Sequence, residues 1–235
     1  MEVVCFDLDD TLYKEIDYLK SAYREIAACA IRRYDDCQLS IQASEVDVYE
    51  VMLEAYKNGN NAFEALNAYL GVELPKSDLL KMYREHVPNI SLTDDVRCTL
   101  DRLKAKGVIM GILSDGREQT QWNKIKALGL TQWMDESCII INSSQECFKP
   151  NSDGYHRFEK AVRAITTENE LFFTYVGDNL KKDFIYPKKN GWRTICMKDD
   201  GRNIHRQDFI STISEALPDV VIGSFKDILI RNLVI

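Results

Sequence analysis

The apolar positions of this chain change their period once near the start and once more about ninety residues in. Residues 3–6 form a short, unbroken apolar run ending in acid, the pattern of a strand buried on both faces. From about residue 13 the spacing becomes three and four. Ile16, Leu19, Tyr23, Ile26, Ala30 and Tyr34 give one helical stripe, and Val48, Val51, Met52, Ala55 and Tyr56 a second. Phe63, Leu66, Ala68, Tyr69 and Leu70 give a third, closed by Gly71. Leu79, Leu80, Tyr83 and Val87 give a fourth, closed by Pro88. No strand interrupts these four, so 13–88 reads as an all-helical block inserted after the first strand.

Beyond it, strands and helices alternate. Strands are expected at 108–113, 137–142, 171–176 and 192–197, with a last short one at 219–222. Helices are expected at 93–107, 119–128, 153–165, 209–216 and 225–233, with a short one at 183–190 broken by Pro187. Strands spaced by helices of about ten residues imply an α/β fold, a parallel sheet with helices on both faces. The sequence thus predicts a core from 1–12 and 89–235.

Composition narrows the function classes. With 235 residues, 45% hydrophobic and 29% charged, the chain has enough apolar material for a core. A net charge of −7 argues against a nucleic-acid polymer as partner, which calls for a basic face. No apolar run approaches the ~20 residues of a membrane helix, so no membrane partner is expected. Seven scattered cysteines without a Cys-x-x-Cys pair read as reduced thiols, and the start is not a signal peptide; a cytoplasmic protein is expected. His86, His156 and His205 are isolated and read as structural.

In an open α/β sheet, ligands bind beyond the carboxyl ends of the strands. Those ends carry Asp7-Leu8-Asp9-Asp10-Thr11, then Ser114-Asp115-Gly116, then Lys149-Pro150, then Gly177-Asp178-Asn179 with Asp183 five residues past Asp178. Asp7, Asp9 and Asp178 together would repel at a cost of a few kcal/mol near a surface, at ~4 Å separations. A divalent cation relieves this, and oxygen donors select Mg2+. Asp7 is the best-placed nucleophile, and Asp9, two residues on, is placed to move protons. Ser114, Lys149 and backbone N–H groups of the turn at Asp115 and Gly116 would bind phosphoryl oxygens. Tyr13, Tyr18 and Tyr23, at helical spacing, fit packing better than ligand contact.

These four motifs, in this order, resemble those of the haloacid dehalogenase-like hydrolase superfamily. The resemblance implies a Rossmann-like core with 13–88 as a helical cap of that family's first type, whose closure excludes water and selects the substrate. It implies that Asp7 is the nucleophile and Asp9 the general acid/base. Asp7, the backbone carbonyl of Asp9, and Asp178 would bind Mg2+, with Asp183 in support. Many relatives carry Asn where Asp115 stands, so this acid has to turn away from a phosphate. The expected activity is a Mg2+-dependent phosphatase acting on a small phosphorylated metabolite, a sugar phosphate or nucleoside monophosphate, through an aspartyl-phosphate. A sugar phosphomutase is the alternative within the superfamily, and a catalytically silent phosphate-metabolite binding protein the alternative outside enzymes. Asp9 argues against the dehalogenase branch, which lacks an acid there.

Overall fold

The computed structural model describes residues 1–36 and 43–234, except the side chains of 34–36. The side chain of Tyr34, expected in the first stripe, and Cys37 therefore lie outside the described residues. The chain divides into two compact units, one of Met1–Ile16 with Ser91–Ile235 and one of Asp17–Ile90.

The first unit is built on a six-stranded, all-parallel sheet in the order β3-β2-β1-β4-β5-β6. Its strands are β1 (Glu2–Phe6), β2 (Ile109–Asp115), β3 (Ile139–Asn142), β4 (Phe172–Gly177), β5 (Arg193–Met197) and β6 (Val220–Ile222). Val3, Val4, Cys5 and Phe6 are all fully buried. Successive side chains alternate faces, so both faces are covered, and this is why β1 reads as an unbroken apolar run. On one face, Val3, Cys5, Tyr175 and Cys196 pack with Tyr155, Phe158 and Val162 of a helix spanning Asp153–Ile165. On the other, Phe6 stacks on Phe225, with ring centroids 6.1 Å apart, beside the closing helix Lys226–Ile230. β1 pairs with β2 on one side and with β4 on the other. The strand order therefore reverses beside β1, where a crevice opens at the strand ends.

The second unit holds most of the first helix α1 (Glu15–Asp36), with α2 (Glu45–Lys57), α3 (Ala62–Leu70) and α4 (Lys76–Glu85). Its core includes Ile26, Val48, Met52, Leu66 and Leu70. Asn61 caps α3 by accepting from Phe63 and Glu64 N–H, and Gly71 ends it in the left-handed conformation. His86 is structural here, buried between Ser21 and Glu25. Tyr13, Lys14 and Glu15 belong to the first unit, within which they bond to Asp9, Asn203 and Asp10.

Two expectations for the sheet unit need correction. Residues 209–216 are not a helix; only Ser214–Ala216 make a single 3-10 turn. The Asp208 carboxylate accepts from Ile210 and Ser211 N–H, and Thr212 Oγ1 donates to Asp208 O, so local side-chain bonds compete with helix. Pro187 does not break its helix. That helix is one turn, Ile185–Lys189, and Pro187 lies where an N–H has no partner within the helix. The six described cysteines are unpaired, and among the described residues no helix is long and apolar enough to cross a membrane.

Gly111, opposite Cys5 in the sheet, allows close approach of the next layer. A Cβ there would lie 2.3 Å from Cys138 O and 2.5 Å from Phe158 Cε2. Gly111→Ala is expected to destabilise the protein by about 1–3 kcal/mol through overpacking. Gly223→Ala, where a Cβ meets nothing within 4 Å, is expected to be near neutral. Urea midpoints compare them, and equal midpoints for the two variants would contradict this packing.

Candidate active site

The site grows from the ends of β1, β2 and β4 and the loop after β3. Asp7 continues the ladder of β1, its N–H donating to Val176 O at 2.8 Å. Its Oδ1 meets Lys149 Nζ at 2.8 Å. The same ammonium lies 2.8 Å from Asp183 Oδ1 and donates to Tyr175 Oη at 2.8 Å. The Lys149 side chain has no exposed surface. A lysine so placed is a fixed point charge, with three directions of approach already defined.

Asp178 follows Gly177 at the end of β4, and Asp183 closes the turn. Asp183 Oδ2 accepts from Asp178 N–H at 3.1 Å and Asn179 N–H at 2.8 Å. A Cβ on Gly177 would fall 2.5 Å from that oxygen, so the glycine is what lets the carboxylate come so near. Asp183 Oδ1 accepts no hydrogen bond of good geometry; its lysine contact is an ion pair alone. Ligand oxygens of Asp7, Asp178 and Asp183 lie within 4.8 Å of one another, all buried.

The electrostatics of this cluster are unbalanced. Three carboxylates against one ammonium leave a net charge of two negatives when all are ionised. Burial, with Asp183 and Asp7 as further acids, pushes Asp178 up to about 9. Burial also pushes Asp7 up to about 6, against the pull of Lys149. An all-oxygen donor set short by two positive charges, with an oxygen lacking a hydrogen bond, fits a hard divalent cation.

Asp9 lies in a separate setting. Its carboxylate accepts from Tyr13 Oη at 2.5 Å, Lys124 Nζ at 2.8 Å and Gln121 Nε2 at 2.8 Å. Burial raises its pKa, but the Lys124 ammonium and these hydrogen bonds outweigh that and leave it lowered. Glu15 Oε1 stands 3.7 Å from the same ammonium, and burial together with the Asp9 charge pushes Glu15 up to about 8. Asp10 takes a left-handed φ of 55°, a conformation aspartate tolerates better than most residues. It bonds Glu15 N–H and Ile204 N–H.

Ser114 is buried at the end of β2, and its Oγ accepts from Gln121 Nε2 at 2.6 Å. Asp115 turns its carboxylate to Asn142, the Lys149 N–H and Lys182 Nζ. Burial raises its pKa, but the Lys149 and Lys182 ammonium groups, with the hydrogen bonds from Asn142 and Lys182, outweigh that and hold it low. The side chain thus braces the Lys149 loop. The Gly116 N–H, expected to face a phosphate, instead donates to Asn142 O at 2.9 Å.

The cluster brings together Asp7, Lys149, Asp178 and Asp183, while Asp9 joins Ser114 through Gln121. Sequence reading missed Gln121, Lys124, Tyr175 and Lys182. Gln121 and Lys124, one turn apart on a helix spanning Glu118–Ala127, are 2% and 3% exposed. Polar residues at that spacing, in a helix following a strand-end motif, were the available signal.

Residues 4–197 match the family of haloacid dehalogenase-like hydrolases. A protein of Methanocaldococcus jannaschii named glyceraldehyde 3-phosphate phosphatase is 28% identical over 235 residues, covering 95% of this chain and 98% of that protein. A crystal structure of a HAD phosphatase from Thermococcus onnurineus superposes with a TM-score of 0.57 at 18% identity, covering 99% and 98% of the two chains. A 2-haloacid dehalogenase from Pseudomonas syringae pv. Tomato superposes with a TM-score of 0.56 at 19% identity, again over 99% and 98%. At these identities the structures show a shared fold.

Lys149→Met would leave buried acids without their cation. The expected loss is about 3–5 kcal/mol at pH 8. It should be smaller at pH 5, where the acids can take up protons instead. Urea unfolding at both pH values measures it, and an equal loss at both would refute this charge balance.

Proposed function

The chain belongs to the haloacid dehalogenase-like hydrolase family and is a phosphatase; from that premise we propose how it works and on what. Asp7 is the nucleophile. Its carboxylate oxygen attacks phosphorus, the bond to the leaving oxygen breaks, and that oxygen takes a proton from Asp9. Water then gives a proton to the Asp9 carboxylate and attacks the phosphorus, releasing inorganic phosphate and freeing Asp7. The Lys124 ammonium, 2.8 Å from Asp9, favours the ionised form that receives the proton from water. Ser114 Oγ, the backbone amide of Asp115 and the Lys149 ammonium hold the phosphoryl oxygens.

Asp7, the backbone carbonyl of Asp9, and Asp178 are the residues to hold Mg2+, with Asp183 in support. Bound there, Mg2+ supplies the positive charge that the acids lack and shields the phosphoryl oxygens. The observation that carries the reading is the meeting of Asp7, Asp178 and Asp183 within 4.8 Å, beside one buried lysine. A silent binding protein has no need to keep such a costly cluster.

The substrate class is a small phosphorylated metabolite of the sugar-phosphate or nucleoside monophosphate type. The activity named for the relatives makes a triose phosphate the first to assay. The helical unit Asp17–Ile90 is inserted between the first two motifs, and we assign it the selection of substrate.

Asp7→Asn is expected to lower phosphate release at least about a thousandfold while circular dichroism stays unchanged. Turnover at the parent rate would overturn the mechanism. Isomer interconversion without phosphate release would instead identify a mutase.

Mg2+ affinity should depend on pH with a definite sign. Asp178 keeps its proton up to about 9 and Asp7 up to about 6, and a dication needs both as carboxylates. Affinity is expected to rise between pH 6 and 9, with protons released on binding. Isothermal titration in buffers of different ionisation enthalpy reads both, and a flat affinity with no proton release would remove these acids as ligands.

A further inference from the structure

A strap at 199–207, between β5 and β6, runs back over the strand ends. It is anchored by its own polar groups. The Asp199 carboxylate accepts from Gly201 N–H at 2.7 Å and Asn203 N–H at 3.0 Å. Gln207 Oε1 accepts from Asp199 N–H at 2.9 Å, and Gln207 Nε2 donates to Asp178 O and to Met197 O, each at 2.8 Å. Ile204 N–H donates to Asp10 Oδ2 at 2.8 Å. The strap is therefore fixed to the backbone of Asp178 and to the loop after β1.

From this strap Asn203 Nδ2 donates to Asp178 Oδ2 at 2.9 Å. The other end of the amide receives Lys14 Nζ, which donates to Asn203 Oδ1 at 2.6 Å. An ammonium only donates, so it fixes the amide with its oxygen toward Lys14 and its NH2 toward Asp178. Lys14 is only 11% exposed at its side chain and also pairs with Asp200 at 3.5 Å. The second oxygen of Asp178 meets Thr11 Oγ1 at 3.5 Å, the outer limit of a hydrogen bond. The carboxylate is thus gripped firmly by one oxygen and only loosely at the other.

We propose that Asn203 is a positioning residue for the metal site: it fixes the rotation of the Asp178 carboxylate, with its own amide oriented by Lys14. The proposal rests on Asp178 being a ligand to a divalent cation, as argued above. Partners that orient a ligating group commonly change metal affinity by 10–100-fold when removed. Asn203 touches neither the phosphate-binding groups nor Asp7, so its effect falls on the ion and not on substrate chemistry.

The test measures Mg2+ binding to the full chain by isothermal titration, without substrate, and Mn2+ binding by electron paramagnetic resonance. Asn203→Ala is expected to weaken both by about 10–100-fold. Its kcat at saturating Mg2+ should stay within a few-fold of the parent, a split that general loosening of the fold does not give. Lys14→Met, which frees the amide to turn, is expected to weaken Mg2+ binding at least several-fold. It replaces Asn203→Ala if that variant does not fold. Parent protein that binds neither ion would end the metal reading itself. Parent protein that binds, with variants that bind equally well or lose kcat at saturating Mg2+, would end this proposal alone.

Discussion

Everything at the strand ends depends on the burial of Lys149 among acids. Its ammonium touches Asp7, Asp183 and Tyr175 at 2.8 Å each. Removed from water, a single charge of either sign is untenable there, and the pairing makes both signs tolerable. The balance is incomplete by design of the residue set, because Asp178 adds a third acid with no cation of its own. Burial, together with that deficit, raises Asp178 to about 9 and gives the cluster its appetite for positive charge. The loop carrying Lys149 is in turn held by Asp115, so one acidic side chain outside the cluster determines where the cation stands.

The deeper parts of the molecule were the most legible from sequence. β1 is buried on both faces, so its residues had to be apolar without alternation, and the acid after Phe6 then marked a strand end. Because all strands run the same way, each strand end had to fall on one rim, and Asp7, Ser114 and Asp178 follow from that. Partnerships were not legible. Lys124 is a long side chain that usually points to water, and only its 3% exposure reveals its bond with Asp9. Asn203 is 25 residues from Asp178 in sequence, in a stretch with no periodic pattern. The failed helix at 209–216 has apolar spacing that suits a helix, but Asp208 satisfies the backbone locally. Gly116 shows the same limit, since which carbonyl an amide finds is a tertiary fact.

The sheet itself does not decide the reaction, as the similar superposition on a phosphatase and on a dehalogenase makes plain. In this chain the first motif carries a second acid, Asp9, in surroundings of its own. Asp9 is held by a lysine, a tyrosine and a glutamine, separate from the acids around Lys149. Two neighbouring carboxylates are thereby pushed in opposite directions, Asp7 up and Asp9 down. Neighbouring carboxylates of one motif thus sit in opposite electrostatic surroundings, burial governing the first and the Lys124 ammonium the second.

The position of β1 at the middle of the sheet bears on how the chain is made. Val3 pairs with Ile109 on one side and with Phe173 on the other. Once synthesised, β1 therefore has no neighbour in the sheet until more than a hundred further residues have followed it, and no second neighbour until well after that. The helices α1 to α4, which follow it, have their partners close in sequence and can assemble first. The apolar segment that leads into Asp7 thus stays unpaired over a long stretch of synthesis, the interval in which chaperones and premature association compete for it.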